Sequence, residues 1–289
     1  MKAILFIFAT NFIWSQNIYI KNLNTKDVIP YSTVSYKYND EIVYYDYTNA
    51  DGYLTLNNNI NYDLIEVSCL GFENQIISKE QITETIFLKT KVYQLKEVIV
   101  TNKKDTEIIG FLNEKEKLEI GFSKGIEICV FFENKNEDEV LISSFLFELN
   151  QKFKVKHAVR LHVYKISQTK FEPGDEILNE NIFHVFNFKN MKKVEIDLSK
   201  HSIYLPKEGA FIGIEFLGCF NDDLSFNDSD SNSTKIKFND VEKSCFTFIR
   251  NCVKKEKWNT TIKLKEDFKN IIKFKNTPNA SFGVKVYTE

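Results

Sequence analysis

Apolar and polar residues alternate one by one along most of this chain. "HAVRLHVYKIS" sets Val159, Leu161 and Val163 on one side and Arg160, His162 and Tyr164 on the other. "KKVEIDLSK" puts Val194, Ile196 and Leu198 against Lys193, Glu195 and Asp197. "GIEICVFFEN" lines up Ile126, Ile128, Val130 and Phe132. A period of two is the signature of a strand with one face in a core and the other in water. "FIGIEFLG", "TKIKFND", "SCFTFIR", "TTIKLKE" and "SFGVKVY" read as further strands, giving nine or ten between about Thr106 and Glu289. Two runs fit either period: "LISSFLFELNQK", and "KEDFKNIIKF", which is also compatible with one or two helical turns.

The earlier part of the chain is also punctuated as short strands. "IPYSTVSYKYND" alternates through Val34, Tyr36 and Tyr38, and "EIVYYDYTNADGYLTLN" breaks at Asn49-Ala50-Asp51-Gly52. Asn and Asp bond their own backbone there, and Gly takes a positive φ without steric cost, so a turn is predicted. "DLIEVSCLGFENQII" and "ETIFLKT" supply further β runs. Strands spaced by roughly ten residues predict an antiparallel sandwich.

These pieces resemble the carboxypeptidase-regulatory-like domain of secreted Bacteroidetes proteins. The resemblance is carried by Ile29-Pro30 before "YSTV", Thr48 to Tyr53, Ser68-Cys69-Leu70-Gly71-Phe72 and "IFLK". It implies a transthyretin-like β-sandwich over residues 17–101, although the glycine usual in the first strand of that family is absent. "YQLKEVIVTNKK", residues 93–104, resembles the connector that joins such modules to TonB-dependent outer-membrane receptors. A receptor barrel needs about twenty strands of ~10 residues, and only about 185 residues of the 289 follow Lys104. The likeness therefore concerns a module and its connector, not a transporter. Residues 105–289 are similar to a jelly-roll-like β-sandwich that follows this module in many exported proteins. The polar run "TNKKDTE" between the two β-rich blocks marks the boundary.

The N-terminus differs from the rest. "MKAILFIFATNFIWSQ" has a positive start, a short apolar run and a small residue before a polar boundary, which predicts a secretory signal over residues 1–16. An export context follows: periplasm, outer membrane association or the exterior. No run reaches the ~20 apolar residues of a membrane span. The net charge of −2 gives no electrostatic footprint for nucleic acid.

Candidate chemistry is sparse. "GFSKG", Gly121 to Gly125, matches the nucleophile-elbow string, but "IEICVFFEN" follows as a strand where the elbow requires a helix. The four histidines, 157, 162, 184 and 201, show no zinc-protease spacing, and His157 and His162 fall on opposite faces of one strand. No catalytic residue and no cofactor are therefore assigned. Asp228, Asp230 and Asn232 have the alternate spacing of a calcium loop, but the sixth and twelfth positions are Ser233 and Asn239, not Gly and Glu. Cys245 and Cys252 would be about 23 Å apart on one extended strand at ~3.3 Å per residue, so only a turn allows them to pair. Trp258, Tyr164, Tyr204 and Tyr44 are candidates for a sugar-stacking platform.

The expectation is an all-β protein: a transthyretin-like sandwich followed by a larger jelly-roll-like sandwich. Its expected function is non-catalytic binding in the cell envelope, of a carbohydrate or another envelope ligand. The alternatives are an accessory subunit docking with a TonB-dependent outer-membrane receptor, and a hydrolase using Ser123.

Overall fold

The computed structural model describes residues 16–91, 105–112, 116–149, 155–187, 192–221, 227, 234–239, 244, 246–267 and 276–288. The leader up to residue 15, the connector 93–104, the calcium candidates Asp228, Asp230 and Asn232, and Cys245 lie outside the described residues. The chain is all-β and divides into two compact units, Met1–Thr90 and Lys91–Glu289.

The smaller unit is a sandwich of two sheets. Its strands are β1 (Asn17–Asn22), β2 (Thr33–Tyr38), β3 (Glu41–Tyr47), β4 (Tyr53–Thr55), β5 (Leu64–Ser68), β6 (Gln75–Ser78) and β7 (Thr85–Leu88). One sheet runs β4-β1-β7 and the other β3-β2-β5-β6. All pairings are antiparallel except β1 with β7. Every second residue points between the sheets, so Ile18 and Ile20, Val34 and Tyr36, Ile65 and Val67, and Ile86 and Leu88 are all buried.

The turn before β4 is built as the sequence predicts. The Asn49 side chain accepts from the N–H groups of Asp51 (2.9 Å) and Tyr53 (3.0 Å). Gly52 sits at φ +68°, and a Cβ there would lie 2.8 Å from the carbonyl oxygen of Ile20. That oxygen belongs to the core strand β1, so the backbone cannot give way cheaply. Gly52→Val is expected to lower the stability of this unit by ~1 kcal/mol or more. An unchanged thermal melt would refute the close approach.

The larger unit contains β8 (Thr106–Gly110), β9 (Glu116–Phe122), β10 (Ile126–Phe132), β11 (Val140–Glu148), β12 (Lys156–Ile166), β13 (Pro173–Glu176), β14 (Phe183–Asn187), β15 (Lys193–Asp197), β16 (Tyr204–Leu205), β17 (Ala210–Phe220), β18 (Thr234–Asn239), β19 (Thr247–Asn251), β20 (Asn259–Thr260), α1 (Thr261–Asp267), β21 (Asn279–Ala280) and β22 (Phe282–Tyr287). The main sheet is β13-β12-β17-β10-β19-β20, with β14 also on β12. Two smaller sheets, β15-β11-β22-β8 (with β16 on β11) and β21-β18-β9, are bridged at Leu149 and Ile236. The core gathers Val130, Val159, Leu161, Val163, Ile212 and Ile214 from the main sheet with Phe145, Phe147, Ile236, Phe238 and Phe282 from the smaller ones. Phe145 and Phe282 meet edge to face with ring centroids 5.2 Å apart, the arrangement favoured by the ring quadrupoles.

Two expectations need correction, and one run left open is settled. The described residues of this unit hold fifteen strands, not nine or ten: β16, β20 and β21 are two-residue pairings, and β8, β9, β13 and β14 lie outside the runs read as strands from the sequence. "LISSFLFELNQK" resolves as strand β11 over Val140–Glu148. "TTIKLKE" is not a strand: after β20 it turns into α1. Its alternation rested on only two apolar residues, Ile262 and Leu264. Ile262 ends up exposed, and the Lys and Glu residues around it are good helix formers. Among the described residues no helix is long and apolar enough to cross a membrane.

Candidate functional site

Among the described residues, the richest chemistry lies on the face of the main sheet that points away from the Val159-Leu161-Val163 core. Antiparallel register sets four residues side by side across β12, β17, β10 and β19: Arg160 opposite Glu215, Glu215 opposite Glu127, and Glu127 opposite Arg250. Two like charges directly opposite one another destabilise a sheet. Here each carboxylate is flanked on its other side by a guanidinium. Arg160 donates from Nη1 to Glu215 at 2.8 Å, and Arg250 from Nε to Glu127 at 2.9 Å.

The next row adds His162, which faces Gly213 on β17. Its Nδ1 lies 2.6 Å from Glu176 Oε2 on β13, and its Nε2 lies 3.3 Å from Glu215 Oε2. The other oxygen of Glu176 accepts from the backbone N–H groups of Val163 (2.9 Å) and Leu178 (3.2 Å). The Tyr164 hydroxyl stands 3.1 Å from His162 Nδ1 and accepts from Arg250 Nη2 at 3.0 Å. Arg160 Nε donates to Asn181 at 2.9 Å.

This network is buried: Glu127, Arg160, His162 and Glu215 are 0%, 4%, 7% and 2% exposed. Two connections supply rings over the face. Phe171, between β12 and β13, packs on Phe131 and Phe211. Trp258, between β19 and β20, stacks over the Arg250 guanidinium at 4.1 Å and meets the Tyr164 ring edge to face at 5.8 Å. The sequence reading placed Arg160, His162 and Tyr164 on a polar, half-exposed face. The structure corrects this, because the face is covered by the chain's own loops.

Burial and the neighbouring charges together fix the protonation states. Desolvation by itself would lower the pKa of His162, but the carboxylates of Glu127, Glu176 and Glu215 around it raise it to about 10. The imidazole is therefore charged at neutral pH. Three carboxylates then face two guanidiniums and one imidazolium, and the cluster sums to zero. Both neighbouring thiols are pushed up, Cys129 by burial and then Glu127, Cys252 by burial and then Glu215. They donate hydrogen bonds to those carboxylates, at 3.4 Å and 3.2 Å. Burial likewise raises the Tyr164 phenol. A protonated imidazole cannot act as a general base, and a protonated thiol is a poor nucleophile. The arrangement holds a sheet together and lacks a poised acid–base pair.

A thiol–imidazole pair sits on the core side. His157 Nδ1 lies 2.7 Å from Thr234 Oγ1 and 3.4 Å from Cys219 Sγ. Burial lowers His157 to about 4 and raises Cys219 to about 12. An activated cysteine needs the opposite shifts, toward thiolate and imidazolium, so this pair is neutral. His157 and His162 do lie on opposite faces of β12, as their spacing requires.

The remaining sequence candidates are scattered. Ser123 is in the turn between β9 and β10, where Gly125 has φ +80° and Ile126 N–H donates to Ser123 O at 3.2 Å. A strand follows, so "GFSKG" forms no strand–turn–helix elbow. Tyr164 and Trp258 come together, but Tyr204 lies on β16, and Tyr44 packs against Tyr36 in the smaller unit. Cys252 is a free thiol. Among the described residues, no group of three or more His, Cys, Asp or Glu side chains is placed to hold a metal ion. The cation positions beside Glu127 and Glu215 are taken by arginine.

No known protein family matches this chain, and no curated protein is similar to it. Among solved structures it is similar to the cysteine protease and lectin-like domains of Cwp84, a surface layer associated protein of Clostridium difficile. That likeness has 12% identity and a TM-score of 0.38, and covers 90% of this chain and 59% of that one. It is also similar to the clostridial cysteine protease Cwp84 after propeptide cleavage, with 10% identity, a TM-score of 0.44, and coverage of 95% and 71%. Likenesses of this strength carry no functional argument, and the chain spans less than two thirds of the first of them.

Proposed function

We propose that the chain is an exported, non-catalytic binding protein of the cell envelope. The observation that carries this reading is the closed state of the densest cluster of titratable groups described above. The carboxylates are neutralised by internal cations, and the imidazole, thiols and phenol are held in unreactive protonation states. Such a network rigidifies a sheet and leaves recognition to other surfaces. The likeness of the smaller unit to the regulatory-like module supports an accessory, non-enzymatic part. There Ile29, Ser32 and Thr48 of the quoted motifs converge, with Ser32 N–H donating to Thr48 Oγ1 at 2.8 Å. The leader-like N-terminus supports export. A second reading, docking with an outer-membrane receptor, is favoured by the exposed apolar residues Ile76 and Phe87 on edge strands of the smaller unit.

The test is chemical. A fluorophosphonate probe is expected to leave Ser123 unlabelled, and Ser123→Ala to change neither the melt nor capture of partners from envelope extracts. Stoichiometric labelling that the alanine variant loses would overturn the reading in favour of a hydrolase.

A further inference from the structure

Both sheets of the smaller unit end on the same groove. It has a volume of about 520 Å³ and is lined by β6, β7, Leu23 and the Gln81–Thr83 connection. β6 and β7 are the outer strands of their sheets. Lys79 N–H donates to Asp63 O at 2.8 Å, so odd-numbered residues of β6 bond to β5, and the main-chain groups of Ile76 and Ser78 face outward. On β7, Tyr19 N–H donates to Glu84 O and Leu23 N–H to Leu88 O, so the main-chain groups of Thr85 and Phe87 face away from β1. Beside these edges stand apolar side chains left open to water: Ile76 is 62% exposed, Leu23 42% and Phe87 37%. The side-chain oxygen of Gln75, which also lines the groove, is buried without a hydrogen-bond partner. Such an acceptor is costly unless a donor reaches it.

Charge selects among occupants. The Lys26 ammonium lies 4.4 Å from the centre of the Phe87 ring. Among the described residues no ion pair is formed by Lys26. A lysine beside an exposed edge discourages pairing between identical strands, because a second copy would bring its own Lys26 to the same edge. A carboxylate on an incoming strand is attracted instead.

We infer that this groove takes an extended segment of a partner protein. The segment adds as a strand to the free edge of β6 or β7, is apolar at every second residue, and carries a carboxylate that meets Lys26. Main-chain hydrogen bonds would supply affinity and the groove would read alternate side chains. A donor of the segment would satisfy Gln75. The inference rests on the binding-protein reading and assigns it a surface.

The probe is a fluorescein-labelled peptide of alternating valine and threonine flanked by glutamates, titrated with the full chain by anisotropy. Saturable binding is expected, weakened at least tenfold by Lys26→Glu, by Ile76→Lys with Phe87→Lys, and by N-methylation of alternate peptide amides. Both substituted positions are exposed, so the melts of these variants should match that of the parent. Exchange of the Ile76 or Phe87 amide should slow when peptide is bound. Absence of saturable binding, or binding indifferent to all three changes, would sink the inference. So would a concentration-dependent dimer in sedimentation that Ile76→Lys with Phe87→Lys abolishes, since the occupant would then be a second copy. Envelope partners still captured by the Ile76→Lys, Phe87→Lys variant would sink the groove and leave the binding-protein reading standing.

Discussion

Replacing Glu215 by alanine is expected to destabilise the larger unit by about 3–5 kcal/mol, the usual cost of breaking one partner of a buried ion pair. Glu215 is the hub of the network: one oxygen takes Arg160 and His162, the other takes the Cys252 thiol. In Glu215→Ala, Arg160 keeps Asn181 and His162 keeps Glu176, but three buried cations now face two carboxylates. Arg160 and His162 are 4% and 7% exposed, so the excess charge is poorly hydrated, and relieving it by releasing the His162 proton forfeits the stability that the imidazolium contributes. The Arg160→Met, Glu215→Met double variant removes one charge of each sign and restores balance. It is expected to lose less stability than Glu215→Ala alone, since replacing a whole buried pair by apolar groups is often close to neutral. Urea denaturation followed by Trp258 fluorescence measures both. A double variant as unstable as the sum of its two single substitutions would show that charge balance is not what holds this face.

The core side of the larger unit was legible because it obeys a simple rule. Val159, Leu161, Val163, Val194 and Ile196 alternate with polar residues and are buried as the pattern requires. The other face was misread for the same reason: Arg160 and His162 look like solvent-facing partners of that alternation. The missing signal lay on the neighbouring strands. In "IEICVFF" and "AFIGIEFLG" the residues sharing a face with Glu127 and Glu215 are Cys129, Phe131, Phe211 and Gly213, far too apolar for a wetted surface. A face that mixes isolated charges with Phe, Cys and Gly is covered, and its charges must then find one another. Which carboxylate meets which cation depends on register across four strands, and no local pattern encodes it. In the smaller unit the turn chemistry was local, so Asn49 and Gly52 could be placed from sequence alone. The free edges of β6 and β7 could not, because an edge is defined by the strands that are not beside it.

The stability of the larger unit is expected to peak near pH 6.5 and to fall on both sides, for opposite reasons. His162 has a folded pKa of about 10 against an unfolded value near 6.5. The folded state therefore holds a proton that the unfolded state has released, and stability must decline as pH rises from about 6.5 toward 10. Between about pH 6.5 and 8.5 this imidazole dominates the decline. Above that the thiols join it, because Cys129, Cys219 and Cys252 are also raised by burial and the unfolded chain ionises first. On the acid side the sign reverses. His157, lowered to about 4 by burial, and His184, lowered for the same reason, are neutral in the folded state while the unfolded chain takes up protons. Their contribution is present above about pH 6.5 and is lost as pH falls toward 4. His162→Gln should lower the whole curve, because three buried carboxylates then face two guanidiniums, and should flatten the limb between pH 6.5 and 8.5, because Gln can still donate to Glu176 but releases no proton. Urea midpoints at pH 5, 6.5 and 8.5 for the parent and this variant decide the matter. A parent midpoint that rises from pH 6.5 to 8.5 would mean that His162 is neutral in the folded state, and the charge-balanced cluster would then be wrong.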